Sequence, residues 1–315
     1  MMLDRILPVF LCTLCFTGQS WSKPVAYAPQ QPVARSLIHA NVLAVGKILE
    51  IEKEQVELPI APQNKEQKIA MKVAVIKIEE PLLGCKGLTQ LRVAFPASLV
   101  GGPGPAFDLP APGIQFNKRQ PNFGAPAPGF GMPVPTQGAE GIFMLNLHHT
   151  GDYYIFSPTA GFNGFIDSKR PTYKADLAAV RDSLKCLEDP LAALKDKDKN
   201  VRWRAAEIYL MKIRNYPPDA NGRKVVEKPV SAELNKLLLT SLMDMPWAAT
   251  DYSQPNREQL WWLLNPSQFG FKNPVFQPQV GAKPQDFQKV WEETTSAFLK
   301  ENLDKIQIKA YTITE

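Results

Sequence analysis

His39, His148 and His149 are the three histidines of the 315-residue chain. Three imidazoles brought together can bind zinc or copper. His148 and His149 are adjacent, however, and on an extended segment neighbouring side chains point to opposite faces. Only one of the two is therefore expected to reach His39. The pair reads as part of a surface turn, and no metal or other cofactor is expected. The cysteines offer a different chemistry. Of the four, Cys12 and Cys15 fall in an N-terminal apolar run and lack the small-residue context that lipid attachment needs. Cys85 and Cys186 remain. In an oxidising compartment they can form one disulfide, stapling the N-terminal half to the C-terminal half. The alternative is two buried thiols too far apart to join. No Cys-x-x-Cys or Cys/His zinc spacing occurs.

Nucleophilic catalysis needs a nucleophile held near a base and an orienting third group. No Gly-x-Ser-x-Gly is present. The "TAGFNGF" stretch has Gly161 and Gly164 but no following Lys-Ser/Thr, so it is a turn and not a phosphate loop. Asp152 and Asp167 are carboxylates with nothing in their spacing to pair them. An enzyme is left as an alternative only if its metal-dependent or hydrolytic site forms in three dimensions. The formal net charge is +5, but basic residues are scattered, as in Lys118-Arg119 and Lys169-Arg170. A nucleic-acid binder concentrates them on one element, so no nucleic acid is expected as partner.

The elements that must position these residues divide the chain. "MMLDRILPVFLCTLCFTGQSWSKP" has one Arg, an apolar run from Ile6 to Phe16 too short to span a bilayer, and Ser20 and Ser22 before Lys23. That is the pattern of a secretory signal peptide over residues 1–22. An exported protein, periplasmic or extracellular, is expected, with no integral membrane segment once the signal is removed. Residues 23–35, "KPVAYAPQQPVAR", are expected to be an extended lead. From residue 36 the period is two. "SLIHANVLAVGKILEIEKE" is a long strand that Gly46 bends. In "KIAMKVAVIKIEEPLLG" both faces are partly apolar. In "TQLRVAF" Leu91, Val93 and Phe95 point one way. "GIFMLNLHH" and "DYYIFSP" make a closing hairpin across "HTGD".

Five short antiparallel strands avoid exposed edges by curling into a small barrel. The pattern "NVLAVGKILEIE … KVAVIKIEEPLLGCKGLTQLRVAF … GIFMLNL" resembles an OB-type barrel, including the netrin-like and tissue-inhibitor-of-metalloproteinase modules of exported proteins. That resemblance implies a barrel over residues 36–168 and brings an inhibitor module into consideration as an alternative function. The terminal cysteines of the animal members are absent, so inhibition itself is not carried over. Residues 96–139 interrupt the barrel with proline and glycine, which exclude a regular element. Phe107, Phe116, Phe123 and Phe130 punctuate this insertion and are candidates for contacts with a partner; the alternative is a structureless loop.

After residue 170 the period becomes about 3.6. Leu177, Val180, Leu184 and Leu187 lie at helical spacing, and Asp189-Pro190 opens a helix. A further helix begins near Val201 and is apolar on two sides, so it needs cover on two sides. "LAALKDKDKNVRWRAAEIYL" resembles a HEAT repeat, spanning 189–214. The resemblance implies that Asp196 and Arg202 pair across the turn. A lone repeat cannot bury both stripes, and the expected cover is C-terminal: helices from Ser231 and Pro284, with Trp247, Trp261 and Trp262 as core or staple residues. "KIQIKAYTITE" is expected to add a terminal strand. The whole chain resembles exported planctomycete-type proteins that join such a barrel to a HEAT-like region, a resemblance that implies no particular activity. The expectation is thus an α+β chain whose barrel is followed by a helical domain over 169–315, a non-enzymatic binding or scaffolding protein with a protein partner.

Overall fold

Strict alternation sets the barrel interior. Leu91, Val93 and Phe95 all enter one buried cluster with Ile48, Ala74, Ile76, Phe143 and Leu145. The computed structural model describes residues 33–62, 64–97, 135–157, 164–217, 220, 223–248, 254–274 and 284–314. The signal-like stretch 1–22, and the insertion phenylalanines Phe107, Phe116, Phe123 and Phe130, lie outside the described residues.

The strands of the N-terminal half are β1 (Val42–Ile51), β2 (Val56–Ala61), β3 (Asn64–Leu83), β4 (Gln90–Pro96), β5 (Glu140–Leu147), β6 (Tyr154–Phe156) and β7 (Phe165–Asp167). Five of them close a ring: β1 pairs with β3, β3 with β4, β4 with β6, β6 with β5, and β5 with β1. The chain is α+β, with a closed five-stranded barrel compatible with an OB-like order. One pairing departs from the antiparallel expectation. β6 returns from β5 and meets β4 in parallel, Val93 opposite Tyr154. β5 is drawn off to pair with β1, so β6 alone is left to close on β4. Gly46 sits at a register shift of β1 against β3 and opposite Gly141 of β5. A Cβ at Gly46 would stand 2.4 Å from the Lys77 carbonyl oxygen, and one at Gly141 2.0 Å from that of Ile166. The glycines let three strands approach where β1 bends.

β2 has no counterpart in the sequence expectation. It is an edge strand on the first half of β3, where the missing donor of Pro59 is tolerated. Its Leu58 packs with Met71 and Ala94 in a small cluster outside the barrel, flanked by Val56, Ile69, Tyr153 and Ile155.

The end of the lead is not extended. Val33–Ser36 form a short helix, α1, followed by a 3-10 turn at Leu37–His39, so the first strand starts at Val42 and not at residue 36. Val33, Leu37 and Ala40 are buried with Leu43, Ile142, Met144 and Ile166 of the barrel wall and with Val180 and Leu184 of the next helix. The amphipathic stripe read from the sequence thus faces the barrel.

That helix is α2 (Tyr173–Glu188). It is followed by α3 (Pro190–Leu194), α4 (Lys199–Arg214), β8 (Val225–Pro229), α5 (Ala232–Asp244), α6 (Arg257–Trp261), α7 (Pro284–Asn302) and β9 (Lys309–Ile313). The caps follow the sequence. Asp189 accepts from the Ala192 N–H at 2.9 Å, and Ser231 from the Leu234 N–H at 3.3 Å, each satisfying a donor that a helix start leaves free. β9 is the expected terminal strand; its partner β8 was not legible.

α4 is covered on more than one side. Ala205, Ala206 and Leu210 enter a core with Leu238, Leu242, Trp247, Trp261 and Trp291, as the C-terminal expectation holds. Glu207 is covered instead by the N-terminal segment, through Arg35. Trp247 and Trp261 are core residues, with Trp247 stacked on Trp291 at 4.9 Å between ring centroids. Trp262 is not: it is 52% exposed, because it begins a 3-10 turn after α6 and so leaves the buried face. Among the described residues, no helix is long and apolar enough to cross a membrane.

Candidate functional site

The histidine pair lies in the turn that the sequence indicates, but its two rings are not arranged as a strand would arrange them. His148 and His149 follow β5 in a tight turn, closed by His148 N–H to the Tyr153 carbonyl at 2.8 Å and Gly151 N–H to the His148 carbonyl at 2.9 Å. In a turn the alternation rule for strands no longer applies. The two rings stack at 4.0 Å between centroids, tilted by 39°, instead of facing opposite ways. His148 is 7% exposed and both its ring nitrogens are engaged. Nδ1 lies 3.3 Å from the Thr150 N–H, a pure donor, and 2.9 Å from the Thr150 hydroxyl. Nε2 lies 3.2 Å from the Pro59 carbonyl oxygen, a pure acceptor. This assigns a neutral ring with Nδ1 accepting and Nε2–H donating. Burial, then the neighbouring His149, hold His148 below the ordinary histidine pKa, against opposing effects of the Pro59 carbonyl and Asp152. His149 is also lowered, by burial and then Lys65, and its Nε2 is buried without a partner.

The turn therefore bridges to β2 and to the start of β3. Beside it, Tyr153 carries the guanidinium of Arg92 over its ring at 4.9 Å. Arg92 in turn makes a bidentate pair with Glu52, both contacts at 2.9 Å. The segment after β1 carries Glu52, the β2–β3 hairpin carries Pro59 and Lys65, and the turn after β5 carries His148–Tyr153. The group offers cations, hydrogen-bonding rings and an aromatic face, and no activated nucleophile.

His39 lies apart. It sits at the junction of barrel and helices, its Nδ1 3.2 Å from Asn215 Nδ2 of the segment after α4. Burial, then Lys212, lower its pKa. Among the described residues, no group of three His, Cys, Asp or Glu side chains is arranged to hold a metal. Asp152 and Asp167 belong to different elements, the hairpin turn and β7, and are not drawn together by any described contact.

The other predicted residues resolve as follows. Cys85 and Cys186 are both free and buried. They belong to different cores, Cys85 to the barrel interior and Cys186 to the helical cluster, so the disulfide alternative is not realised. Asp196 and Arg202 meet through the main chain and not as an ion pair. Arg202 donates to the Asp196 and Lys197 carbonyl oxygens at 2.9 and 3.0 Å, while the Asp196 carboxylate accepts from the Asp198 N–H. The turn needs its carbonyls capped, and the guanidinium does so.

Sequence reasoning missed the junction. Arg35 of α1 donates to Glu207 Oε1 from Nη2 at 2.6 Å and from Nε at 2.8 Å, with the side chains only 4% and 1% exposed. Lys212 donates to the Ala40 carbonyl at 3.1 Å. The His39 carbonyl accepts from Asn146 and Ser157 at 2.8 and 2.7 Å. On the outer surface Arg181 of α2 holds Glu80 of β3 through two bonds. A lone charge inside an apolar stretch, such as Glu207 in "AAEIYL", was the available signal. Arg257 was missed likewise. It is 1% exposed and donates to the Met243 and Met245 carbonyls and to the Thr295 and Ser296 hydroxyls, capping the end of α5 and tying it to α7. A cleft of about 30 Å³ lined by Arg214, Glu227, Asn265, Gln268 and Lys309 has room for a water or two.

Comparison with protein-family models, with curated proteins and with solved structures returns no match for the chain.

Proposed function

We propose that the protein is an exported, non-enzymatic binding or scaffolding protein whose partner is another protein. The carrying observation is the buried junction: Arg35–Glu207, the Lys212 bond to the segment before β1 and the shared apolar cluster. It fastens barrel and helices into one body, so surfaces on both are held at a fixed spacing, which is what a scaffold requires. The barrel interior is filled by side chains, which directs recognition to outer faces, and the face around His148, Tyr153 and Arg92 is the candidate. Export rests on the signal-like leader, and the family resemblance to planctomycete-type barrel-plus-helix proteins is part of the same proposal. The inhibitor alternative would use an ordered, exposed N-terminal segment after Ser22, and residues 23–32 lie outside the described residues.

The test is affinity capture with crosslinking from the envelope fraction, using the tagged mature chain. One partner in near-stoichiometric amount, with recovery reduced by Arg92→Glu, supports the proposal. Recovery of nothing above a tag control overturns it.

A further inference from the structure

We propose that Trp262, Trp291 and Phe287 form a docking surface for a proline-rich segment of a partner protein that also carries lysine or arginine. The surface lies on α6, α7 and the turn between, on elements other than those of the barrel face around Arg92, and gives a scaffold of fixed shape a second point of attachment.

Trp262 is 52% exposed and Phe287 43%. Each ring lies 6.1 Å from that of Trp291 between centroids, Trp262 at 69° to it and Phe287 at 59°. Trp291 is buried, and Trp247 stacks on it from within the core. Two exposed aromatic rings on one buried indole make a contiguous apolar patch, unlike the single exposed side chains that any surface carries. The patch is held rigid. Arg257, at the start of α6, donates to the Thr295 and Ser296 hydroxyls of α7 and to the Met243 and Met245 carbonyls at the end of α5. The Arg257 and Glu258 N–H groups donate to the Pro246 and Trp247 carbonyl oxygens at 2.8 and 2.9 Å. Trp262 therefore projects from a fastened turn, and binding has little left to order on this side.

Ring geometry and charge select the occupant. A sugar ring lies flat on an aromatic shelf, and rings inclined at 59° and 69° form corners instead. A compact pyrrolidine ring fits such a corner. Its polyproline II backbone is set before binding, and one turn of about 9 Å is of the scale of the steps between these rings. The rim is acidic. Glu258 stands one turn before Trp262, and α7 carries Asp286, Glu292 and Glu293 next to Phe287 and Trp291 in the chain, against Lys289, all of them exposed. Lys289 is itself paired with Glu293. A lysine or arginine among the prolines gains both the carboxylates and the faces of the indoles.

The experiment titrates the full mature chain into a labelled decaproline peptide ending in a pair of arginines, read by fluorescence anisotropy. A glycine–serine peptide of the same length and charge is the control. The proline peptide should bind about tenfold or more tighter than the control, and Trp262→Ala should weaken it about tenfold or more. Phe287→Ala should weaken it in the same direction. Glu258→Lys should weaken it at low salt and reduce its salt dependence. Leu88→Ala, which removes an exposed apolar side chain from the turn between β3 and β4, should leave binding unchanged. Circular dichroism checks that each variant is folded. Equal binding of the two peptides, no saturation below about 1 mM, or undiminished binding to both Trp262→Ala and Phe287→Ala overturns the site. So does saturable quenching of tryptophan fluorescence by a glucose oligosaccharide with none by the proline peptide, which would assign a carbohydrate. The peptide is read directly on the protein. A failed site with a partner captured through the barrel face, and an intact site without one, therefore separate this proposal from the preceding one.

Discussion

Replacing Arg35 by Met puts the junction to a quantitative test. In the folded protein the Glu207 carboxylate is 1% exposed. Its Oε1 takes both contacts from Arg35, and its Oε2 is buried without a partner. Burial pushes the carboxyl above its ordinary pKa, and Arg35, then Arg204, act against that. Without Arg35 the remaining charge has lost its main partner, and breaking a buried pair costs about 3–5 kcal/mol. An upper bound also applies. A carboxyl with an unfolded pKa near 4.3 can escape by taking up a proton, which costs about 4 kcal/mol at pH 7 and about 1 kcal/mol at pH 5. Arg204 attenuates the loss further. Arg35→Met should therefore cost about 3 kcal/mol at pH 7 and markedly less at pH 5. The sign follows linkage: a carboxyl whose folded pKa is raised loses stability as pH rises above its unfolded value. The double variant Arg35→Met, Glu207→Leu should recover to within about 1 kcal/mol of wild type, because an apolar pair of similar volume needs no desolvation. Urea unfolding followed by tryptophan fluorescence reads the helical region, since the described tryptophans all lie at or beyond Trp203. Far-ultraviolet circular dichroism reads the barrel as well. Non-coincident transitions in the single variant would show that barrel and helices have come apart. A penalty under about 1 kcal/mol at pH 7, or one equally large at pH 5, would refute the reasoning.

Further outcomes follow from the other buried groups. Arg257→Met should destabilise by about 3 kcal/mol or more, because several charge-assisted bonds vanish and the Met243 and Met245 carbonyls lose their donor. Arg257→Lys should rescue only part, since one ammonium cannot reproduce the fork; thermal unfolding of both variants checks this. His39, His148 and His149 all have folded pKa values below the ordinary 6.5. Their neutral forms stabilise the fold above that value, and stability is lost as pH falls below it towards the lowered folded values. Urea midpoints measured from pH 8 to pH 5 should decline from about pH 6.5 downward, and a triple His→Gln variant should flatten that decline. Cys85 and Cys186 should resist alkylation in the native state and react only on unfolding, since burial raises both thiol pKa values. Peptide mass analysis after native labelling reads this directly, and a reductant should leave the unfolding midpoint unchanged.

Much of the architecture was legible because local periodicity depends on local chemistry. The alternation of Leu91, Val93 and Phe95 required a buried face, and Asp189-Pro190 and Ser231 required helix starts. Gly46 required a bend. Those features survive in the structure because each is satisfied within a few residues. The sequence misled where a residue's neighbours are distant. Adjacent His148 and His149 read as a turn, which the structure has, but the strand rule set their rings on opposite faces, and only the geometry of the turn decides that they stack.

The sequence by itself determined an α+β chain, a barrel of short strands and a helical region needing outside cover. Tertiary structure alone decided which surfaces supply that cover. It set the parallel closure of β4 on β6, the seating of Arg35 on Glu207 across 172 positions, and the separation of Cys85 from Cys186 into two cores. The physical reason is that burial and charge pairing are sums over whatever the folded chain brings near. Propensity and patterning are fixed by the neighbours along the chain.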